Sequence, residues 1–248
     1  MRYLVLSDIH ANLDALDAVL DAAAADGYDA VAVLGDLVGY GAEPNRVVDR
    51  VRSLSPVAMI RGNHDKVAAG LESADSFNPT AQESAAWTRA AITEATRAFL
   101  LSLPRGPVAL DGIAEICHGS PVDEDVYIFG EAIAAEALLA ATRRVCLFGH
   151  THLPAAATLG PDDVLDVLFH GAGDEHRAAF EDGRRYLINP GSVGQPRDGD
   201  PRAAYAILDT AVEDLVIRRV AYPVERACER ILAAGLPKVL GERLIRGR

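Results

Sequence analysis

The 248-residue sequence predicts an α/β fold whose first part contains a parallel sheet and whose second part is rich in antiparallel strands. Up to residue 152, short apolar runs alternate with segments of helical period, an order that is typical of βαβ units. Beyond residue 152, short apolar runs separated by turn residues follow one another without an intervening helix. We predict one domain over residues 1–248, with the strand-rich second half packed on the first, because no linker or repeat divides the chain.

The first five predicted elements form a βαβαβ unit with a parallel sheet. Asn12 is suited to cap the first helix, and Pro44 to occupy the first turn of the second. The elements are Tyr3–Ser7 (strand), Leu13–Ala25 (helix), Ala30–Leu34 (strand), Asn45–Leu54 (helix) and Val57–Ile60 (strand).

The middle of the chain begins with a polar loop, Glu72–Thr80, which the sequence favours as a connector over a lid. Helices and strands then follow: a long helix over Ala81–Leu101, strands near Val108 and over Ile113–Cys117, an Ala-rich helix over Glu131–Ala141 and a buried strand over Val145–Phe148.

Six short strands and a helical tail are predicted for the remainder of the chain. Asp182-Gly183 is a favourable hairpin turn between the third and the fourth of these strands. The tail is predicted to be helical from Val224 onwards. The strands are Ala155–Leu159, Val164–Phe169, His176–Glu181, Arg185–Ile188, Ala203–Leu208 and Asp214–Val220.

Composition restricts the classes of function. The formal net charge of −12 argues against a general nucleic-acid binder, which needs a basic surface. It does not exclude an anionic substrate, because bound metal ions reverse the local field. The apolar stretch Tyr3–Leu6 is too short for a signal peptide or a membrane span. Three cysteines without a CxxC pattern indicate buried thiols in a reducing compartment, so we expect a cytoplasmic protein. The sequence does not specify the oligomeric state, and a homo-oligomer is possible.

Five short motifs carry the chemistry, and each follows a predicted strand. They contain five of the seven histidines, an arrangement that packing does not explain although any one of these histidines alone would more often be structural. The motifs are Asp8-x-His10, Gly35-Asp36, Gly62-Asn63-His64-Asp65, His118-Gly119 and Gly149-His150-Thr151-His152.

These residue types predict two adjacent divalent metal ions. Carboxylate, amide and imidazole ligands suit transition metals, with manganese favoured and iron, zinc, cobalt or nickel also compatible. Two metals about 3.5–4 Å apart can share a hydroxide and clamp the oxygens of a displacement at phosphorus. His64 need not bind metal and is a candidate general acid for the leaving oxygen, and Asp65 is a candidate to orient it. Asp36 is suited to bridge the two ions.

The five motifs, in this order, resemble those of the calcineurin-like metallophosphoesterase superfamily. The match spans residues 1–154, and two further segments, Asn189-Pro190-Gly191-Ser192-Val193 and Gln195-Pro196-Arg197, are similar to the C-terminal motif of a small bacterial branch. That branch contains YfcE-like phosphodiesterases and dinucleoside tetraphosphatase-like proteins. The resemblance implies a four-layer αββα sandwich, two mixed sheets flanked by helices, with a two-metal site at the strand ends.

The resemblance also implies a ligand set and an activity. The activity is hydrolysis of small phosphate esters (phosphodiesters, nucleotides or dinucleoside polyphosphates) by a hydroxide shared between the metals. His64 would lie near the leaving group, and Asp36 would bridge the ions. The first ion would be held by Asp8, His10, Asp36 and His152, and the second by Asp36, Asn63, His118 and His150.

One motif departs from the protein phosphatase branch of the superfamily, which has an aspartate and an arginine after the second motif. Here Gly39 stands in place of the aspartate that would orient His64, and Tyr40 in place of the arginine that would grip phosphate. Tyr40 is therefore a candidate substrate contact, and Arg61 or Arg197 is a candidate replacement cation. Arg197 is favoured slightly because it lies in a loop punctuated by glycine and proline.

Two other interpretations remain at this stage. The chain could be a partner-binding scaffold with a vestigial metal site, as in a retromer subunit that shares the fold, although the presence of both Asn63 and His64 counts against this. It could also be a nuclease of the same superfamily, although its acidic charge disfavours nucleic acid as a partner. Trp87 could line a pocket with Phe77 and Asn78, but core packing is the more frequent role of a tryptophan. We expect a small phosphorylated substrate and no membrane partner.

Overall fold

Two six-stranded mixed β-sheets form the centre of the computed structural model, which describes residues 1–248. The elements in chain order are β1 (Arg2–Leu6), α1 (Leu13–Asp26), β2 (Ala30–Val33), α2 (Pro44–Ser53), β3 (Ala58–Met59), α3 (Asn63–Ala69), α4 (Pro79–Ala91), α5 (Glu94–Ser102), β4 (Val108–Ala109), β5 (Ala114–Ile116), α6 (Glu131–Ala140), β6 (Val145–Leu147), β7 (Ala155–Leu159), β8 (Leu165–His170), β9 (Glu175–Ala179), β10 (Arg185–Asn189), β11 (Ala203–Asp209), β12 (Asp214–Val220), α7 (Val224–Ala233) and α8 (Lys238–Arg246). No helix among them combines the length and the apolar character that crossing a membrane requires.

The strand order places the predicted motifs at one end of the sandwich. The first sheet has the order β3-β2-β1-β11-β12-β9, and the second has β4-β5-β6-β10-β7-β8. β1, β2 and β3 are mutually parallel, as are β5, β6 and β10, so their carboxyl ends lie at the same edge of each sheet. Ligands bind at such edges in open α/β sheets.

Apolar side chains fill the space between the sheets and the space outside each sheet. Because side chains alternate along a strand, β1 directs Val5 between the sheets and Leu4 towards α1. α1, α2 and α5 cover the outer face of the first sheet, and α6 covers the second against Cys146 and Leu187. This arrangement of helix, sheet, sheet and helix confirms the predicted αββα sandwich.

The sequence suggested that the second half of the chain packs as a unit on the first. The structure shows a different arrangement. The strands of the second half are divided between the two sheets, and β11 pairs directly with β1. Asp182-Gly183 forms a turn, as predicted, but the turn joins β9 of the first sheet to β10 of the second and makes no hairpin. Strand pattern and turn residues do not specify which sheet a strand joins, because both sheets offer an apolar face.

The long helix predicted over residues 81–101 is two helices. α4 ends before Ile92, whose backbone is extended (φ −72°, ψ 141°), and Thr93 caps α5 by accepting a hydrogen bond from the Thr96 amide at 3.1 Å. The Asn45 side chain accepts from the Thr93 amide at 2.9 Å and fixes the break. α3 is a helix that the sequence did not predict, because Gly-Asn-His-Asp had been interpreted as a ligand loop.

Candidate metal centre

Seven polar side chains converge where the strands end, and they are the seven predicted metal ligands. We call them the ligand cluster. Two subsets have ligand atoms within 4.8 Å of one another and share Asp36. All members except Asn63 are buried. The first subset is Asp8, His10, Asp36 and His152; the second is Asp36, His118 and His150, with Asn63 alongside.

Backbone strain is concentrated in the same residues. Positive φ angles are uncommon for residues other than glycine and cost of order 1–3 kcal/mol each. Packing alone gives no reason to place so many at one site, so the strain indicates that the fold aims these side chains at a common point. The strained members are Asp8 (φ 53°), His10 (49°), Asp36 (52°), His150 (65°) and His152 (61°).

Two imidazoles of the first subset face each other in a way that calls for a cation. The Nδ1 atoms of His10 and His152 lie 3.0 Å from the Val38 carbonyl and 2.5 Å from the Gln195 carbonyl, so each must donate its proton there. Their Nε2 atoms are then unprotonated, yet they lie 3.0 Å apart. Two lone pairs at this distance repel unless a positive ion lies against both. The donor set therefore fits a metal ion.

The histidines of the second subset are also held by hydrogen bonds to backbone carbonyls. His118 Nδ1 donates to the Leu34 carbonyl at 2.8 Å, which directs Nε2 towards Asp36 Oδ2 at 3.4 Å and Asn63 Oδ1 at 3.3 Å. His150 differs, because its Nε2 donates to the Asp125 carbonyl at 3.1 Å and leaves Nδ1 free. Carbonyl partners of this kind fix the tautomer of metal-binding histidines.

Asp36 lies at the centre of both subsets. Its Oδ2 is 3.5 Å from His10 Nε2 and 3.4 Å from His118 Nε2, and its Oδ1 accepts a hydrogen bond from the His64 amide at 2.9 Å. Burial alone would raise the pKa of Asp36, but the His118 and His64 imidazoles hold it well below its ordinary value. The carboxylate in turn overcomes burial and raises the pKa of His118 to about 10. Such a position attracts positive charge strongly.

The segment Asn189–Val193, which the sequence associated with the C-terminal family motif, supports the ligand loops from behind. Asn189 donates to the Gly149 carbonyl at 2.7 Å, next to His150. Ser192 donates to the Asp8 carbonyl at 2.8 Å. The motif therefore acts on the ligand cluster through the backbone of two ligand loops.

His64 lies beside the ligand cluster in an aromatic environment. Its ring centroid is 4.4 Å from that of Tyr40, 4.6 Å from that of Phe77 and 5.0 Å from that of His10. Burial lowers the pKa of His64 to about 4, so the ring is neutral near pH 7. Its Nδ1 is buried and has no hydrogen-bond partner.

Gly39 explains that missing partner. Its φ is +90°, and a Cβ atom built on it would lie 2.5 Å from His64 Nδ1. The glycine therefore packs against the ring at the position where the protein phosphatase branch has the orienting aspartate. Asp65 does not supply one either. Its two oxygens accept hydrogen bonds from the Gly62 amide at 3.0 Å and the Val38 amide at 3.1 Å, so it fixes the local loops.

The two candidate cations lie in different environments. Arg61 forms a two-point ion pair with Glu124 at 2.9 and 3.1 Å, so its charge is already matched. Arg197 pairs with no carboxylate, and its guanidinium lies 5.9 Å from the centroid of the Tyr40 ring. The Tyr40 ring lies 4.7 Å from that of His10 between centroids, so Arg197 and Tyr40 lie beside the ligand cluster, whereas Arg61 is paired with Glu124.

A cavity of about 510 Å³ opens next to the second subset. Phe77 and Asn78 line it, as considered from the sequence, whereas Trp87 donates to the Ala234 carbonyl at 2.9 Å and packs among the helices. Sequence reasoning missed Tyr127, whose ring stacks on His150 at 3.7 Å between centroids. The one available signal was the presence of two aromatic residues, Tyr127 and Phe129, in the connection between two predicted elements.

Comparison with known proteins places this site in a family context. The family model of the calcineurin-like phosphoesterase superfamily domain matches residues 1–213. An uncharacterised protein of Methanocaldococcus jannaschii is 36% identical, and the match covers 98% of this chain and 97% of that protein. Phosphodiesterase YfcE of Escherichia coli is 27% identical over 87% of this chain and 91% of its own length. The crystal structure of a metallophosphoesterase from Sphaerobacter thermophilus is 39% identical, with a TM-score of 0.86 and coverage of 100% of this chain and 99% of that one.

Proposed function

The chain belongs to the calcineurin-like phosphoesterase superfamily and is a hydrolase of that class, and from this premise we propose that it cleaves small phosphate esters with the help of two divalent metal ions. The proposed substrates are phosphodiesters, nucleotides or dinucleoside polyphosphates. The observation that carries the proposal is Asp36, which is shared by two buried subsets of ligand atoms. A shared carboxylate is what a pair of adjacent cations requires.

The ligand assignment proposed here follows the two subsets. Asp8, His10, Asp36 and His152 would hold one ion, and Asp36, Asn63, His118 and His150 the other. When bound, the metals supply charge stabilisation at the phosphoryl oxygens and lower the pKa of water. Manganese is the first choice, since mixed oxygen and imidazole ligands suit it, and iron, zinc, cobalt and nickel share that chemistry.

The remaining polar groups are proposed to act on the substrate directly. Arg197 has an unmatched positive charge beside Tyr40 and is suited to bind a phosphoryl oxygen. His64 is neutral, so we assign it a hydrogen bond to the leaving oxygen. Asp65 is assigned the task of holding the loops that carry His64, through the Gly62 and Val38 amides.

Asp36→Asn tests the proposal directly. The asparagine keeps an oxygen that can accept from the His64 amide, but it removes the negative charge that two cations would share. We expect manganese-dependent hydrolysis of bis(p-nitrophenyl) phosphate to fall by about a thousandfold or more. Asp17→Asn is the matched control, since Asp17 is half exposed and pairs with Arg50 on the surface. A wild-type rate in Asp36→Asn, or hydrolysis that persists after chelation, overturns the proposal.

The substrate is identified by a panel measured with each metal. Phosphomonoesters, phosphodiesters and dinucleoside polyphosphates are compared by kcat/KM with manganese, iron, zinc, cobalt and nickel in turn. The net charge of −12 does not favour a nuclease. The complete ligand cluster does not favour a scaffold with a vestigial site.

A further inference from the structure

The cavity beside the second subset has a lining of unusual charge for an enzyme that acts on anions. Asn63, His64 and His150 form its inner end, so it opens directly on the ligand cluster. No lysine or arginine lines it. Its only carboxylates are Glu72 and Asp125, whose side chains are 53% and 46% exposed.

The positive charge that neutralises these carboxylates lies behind them. Lys66 Nζ is 3.1 Å from Glu72 and 2.7 Å from Asp125, yet the Lys66 side chain is 1% exposed. Glu124, which also pairs with Arg61, shares the same ammonium at 3.3 Å. Two cations therefore face three carboxylates, and a molecule that enters the cavity meets the negative layer first.

The same cavity has an aromatic side. Tyr127 is 40% exposed, and its ring stacks on His150 and lies parallel to that of Phe129 at 5.5 Å between centroids. Phe77 packs against His64 at 4.6 Å between centroids. Tyr127 and Phe77 both line the cavity. A planar group that enters next to them can stack, which adds affinity without a charge. We call Glu72, Phe77, Asp125 and Tyr127 the cavity wall.

We propose that this cavity is a subsite for the organic group of the phosphate ester, that it takes an uncharged aromatic group, and that Glu72 and Asp125 exclude groups that carry further negative charge. The inference rests on the phosphoesterase function proposed above and deepens it. It selects phosphodiesters with aryl or nucleoside arms from the three proposed substrate classes. Dinucleoside polyphosphates are disfavoured because their additional phosphates would face the negative layer.

Binding of three phosphonates to the manganese-loaded protein tests the subsite without requiring turnover. Methylphosphonate, phenylphosphonate and p-carboxyphenylphosphonate share one head group and differ only in the ring and its charge. Isothermal titration calorimetry should show phenylphosphonate bound about tenfold more tightly than methylphosphonate. The additional carboxylate should weaken binding by about threefold to tenfold relative to phenylphosphonate.

Variants of the cavity wall separate the effect of its negative charge from the effect of its aromatic rings. Glu72→Gln combined with Asp125→Asn should remove most of the discrimination against the carboxylated ring. Asp75→Asn, in the same loop but outside the cavity, is the matched control and should retain it. Tyr127→Ala should abolish the preference for phenyl over methyl, whereas Tyr127→Phe keeps the ring and should preserve that preference.

Equal affinity for all three phosphonates in the wild type overturns the subsite. An unchanged penalty for the carboxylated ring in the Glu72→Gln, Asp125→Asn protein overturns the role of the negative layer. Hydrolysis of bis(p-nitrophenyl) phosphate is measured on the same samples, so these outcomes are distinguished from failure of the phosphoesterase function. Active protein with no selectivity refutes only the subsite, and selective binding without turnover refutes only the activity.

Discussion

The ligand cluster and the cavity wall adjoin each other but are built in opposite ways. All members of the cluster except Asn63 are buried, and most lie at the ends of strands in strained backbone, with carbonyl partners for their imidazoles. The cavity wall is half exposed and comes from a loop and from connections between helices and strands. Under the proposed function, reaction chemistry depends on residues held by the sheets, whereas selectivity depends on surface segments that can vary without disturbing them.

Removal of metal should give the largest effect, because it acts on the ligand cluster and not on the cavity wall. Because His10 and His152 direct their Nε2 atoms at each other, manganese should stabilise the folded protein. At a hundredfold excess over Kd the gain is about 2.7 kcal/mol, or roughly 5–10 °C in Tm. Chelation should abolish hydrolysis and this gain together, as measured by calorimetry and a chromogenic diester. If His152→Leu kept the full rise in Tm, the cluster would not be a metal site.

Arg197→Met should give the next largest effect. The unmatched guanidinium next to Tyr40 is assigned to the phosphoryl group, so its loss should lower kcat/KM by about tenfold to a hundredfold. Arg61→Met is the matched control, since Arg61 already pairs with Glu124. It should change kcat/KM little but lower the free energy of unfolding, by about 1–3 kcal/mol, because Glu124 loses a partner. The reverse order of effects on activity would reassign the phosphate contact.

Gly39→Ala should distinguish the effect of the His64 ring position on kcat from any effect on metal binding. The new Cβ would meet His64 Nδ1, so we expect kcat to fall about tenfold while manganese affinity is retained. Gly183→Ala shares the positive φ (+76°) but has open space around it, and serves as control. Both variants should lose about 1–2 kcal/mol of stability from backbone strain. Equal activity in the two variants would show that the His64 ring position is unimportant.

The smallest effect is expected at Trp87, which lies outside both regions. Trp87→Phe removes the hydrogen bond to the Ala234 carbonyl and should lower the free energy of unfolding by about 1 kcal/mol. Hydrolysis should be unchanged, because Trp87 does not line the cavity. A loss of activity greater than the loss of stability would extend the functional region to the C-terminal helices.

The sequence predicted the ligand cluster better than its surroundings, for a physical reason. Asp8, Asp36 and His150 follow short buried strands, and parallel strands end at a common edge, so proximity could be inferred without a model of the loops. The break at Ile92 had one local signal, the capping residue Thr93, but it is also fixed by Asn45, which is distant along the chain. The contact of Tyr127 with His150 depends likewise on how a connection folds over the sheet edge.

The direct pairing of β1 with β11 delays completion of the first sheet until β11 has been synthesised. The first strand emerges from the ribosome about two hundred residues before its antiparallel neighbour, and Ser192, which holds the Asp8 carbonyl, is also synthesised late. Closure of so large a loop is slow. The first sheet and the hydrogen bond from Ser192 to the loop of Asp8 can therefore be completed only after β11 has been synthesised.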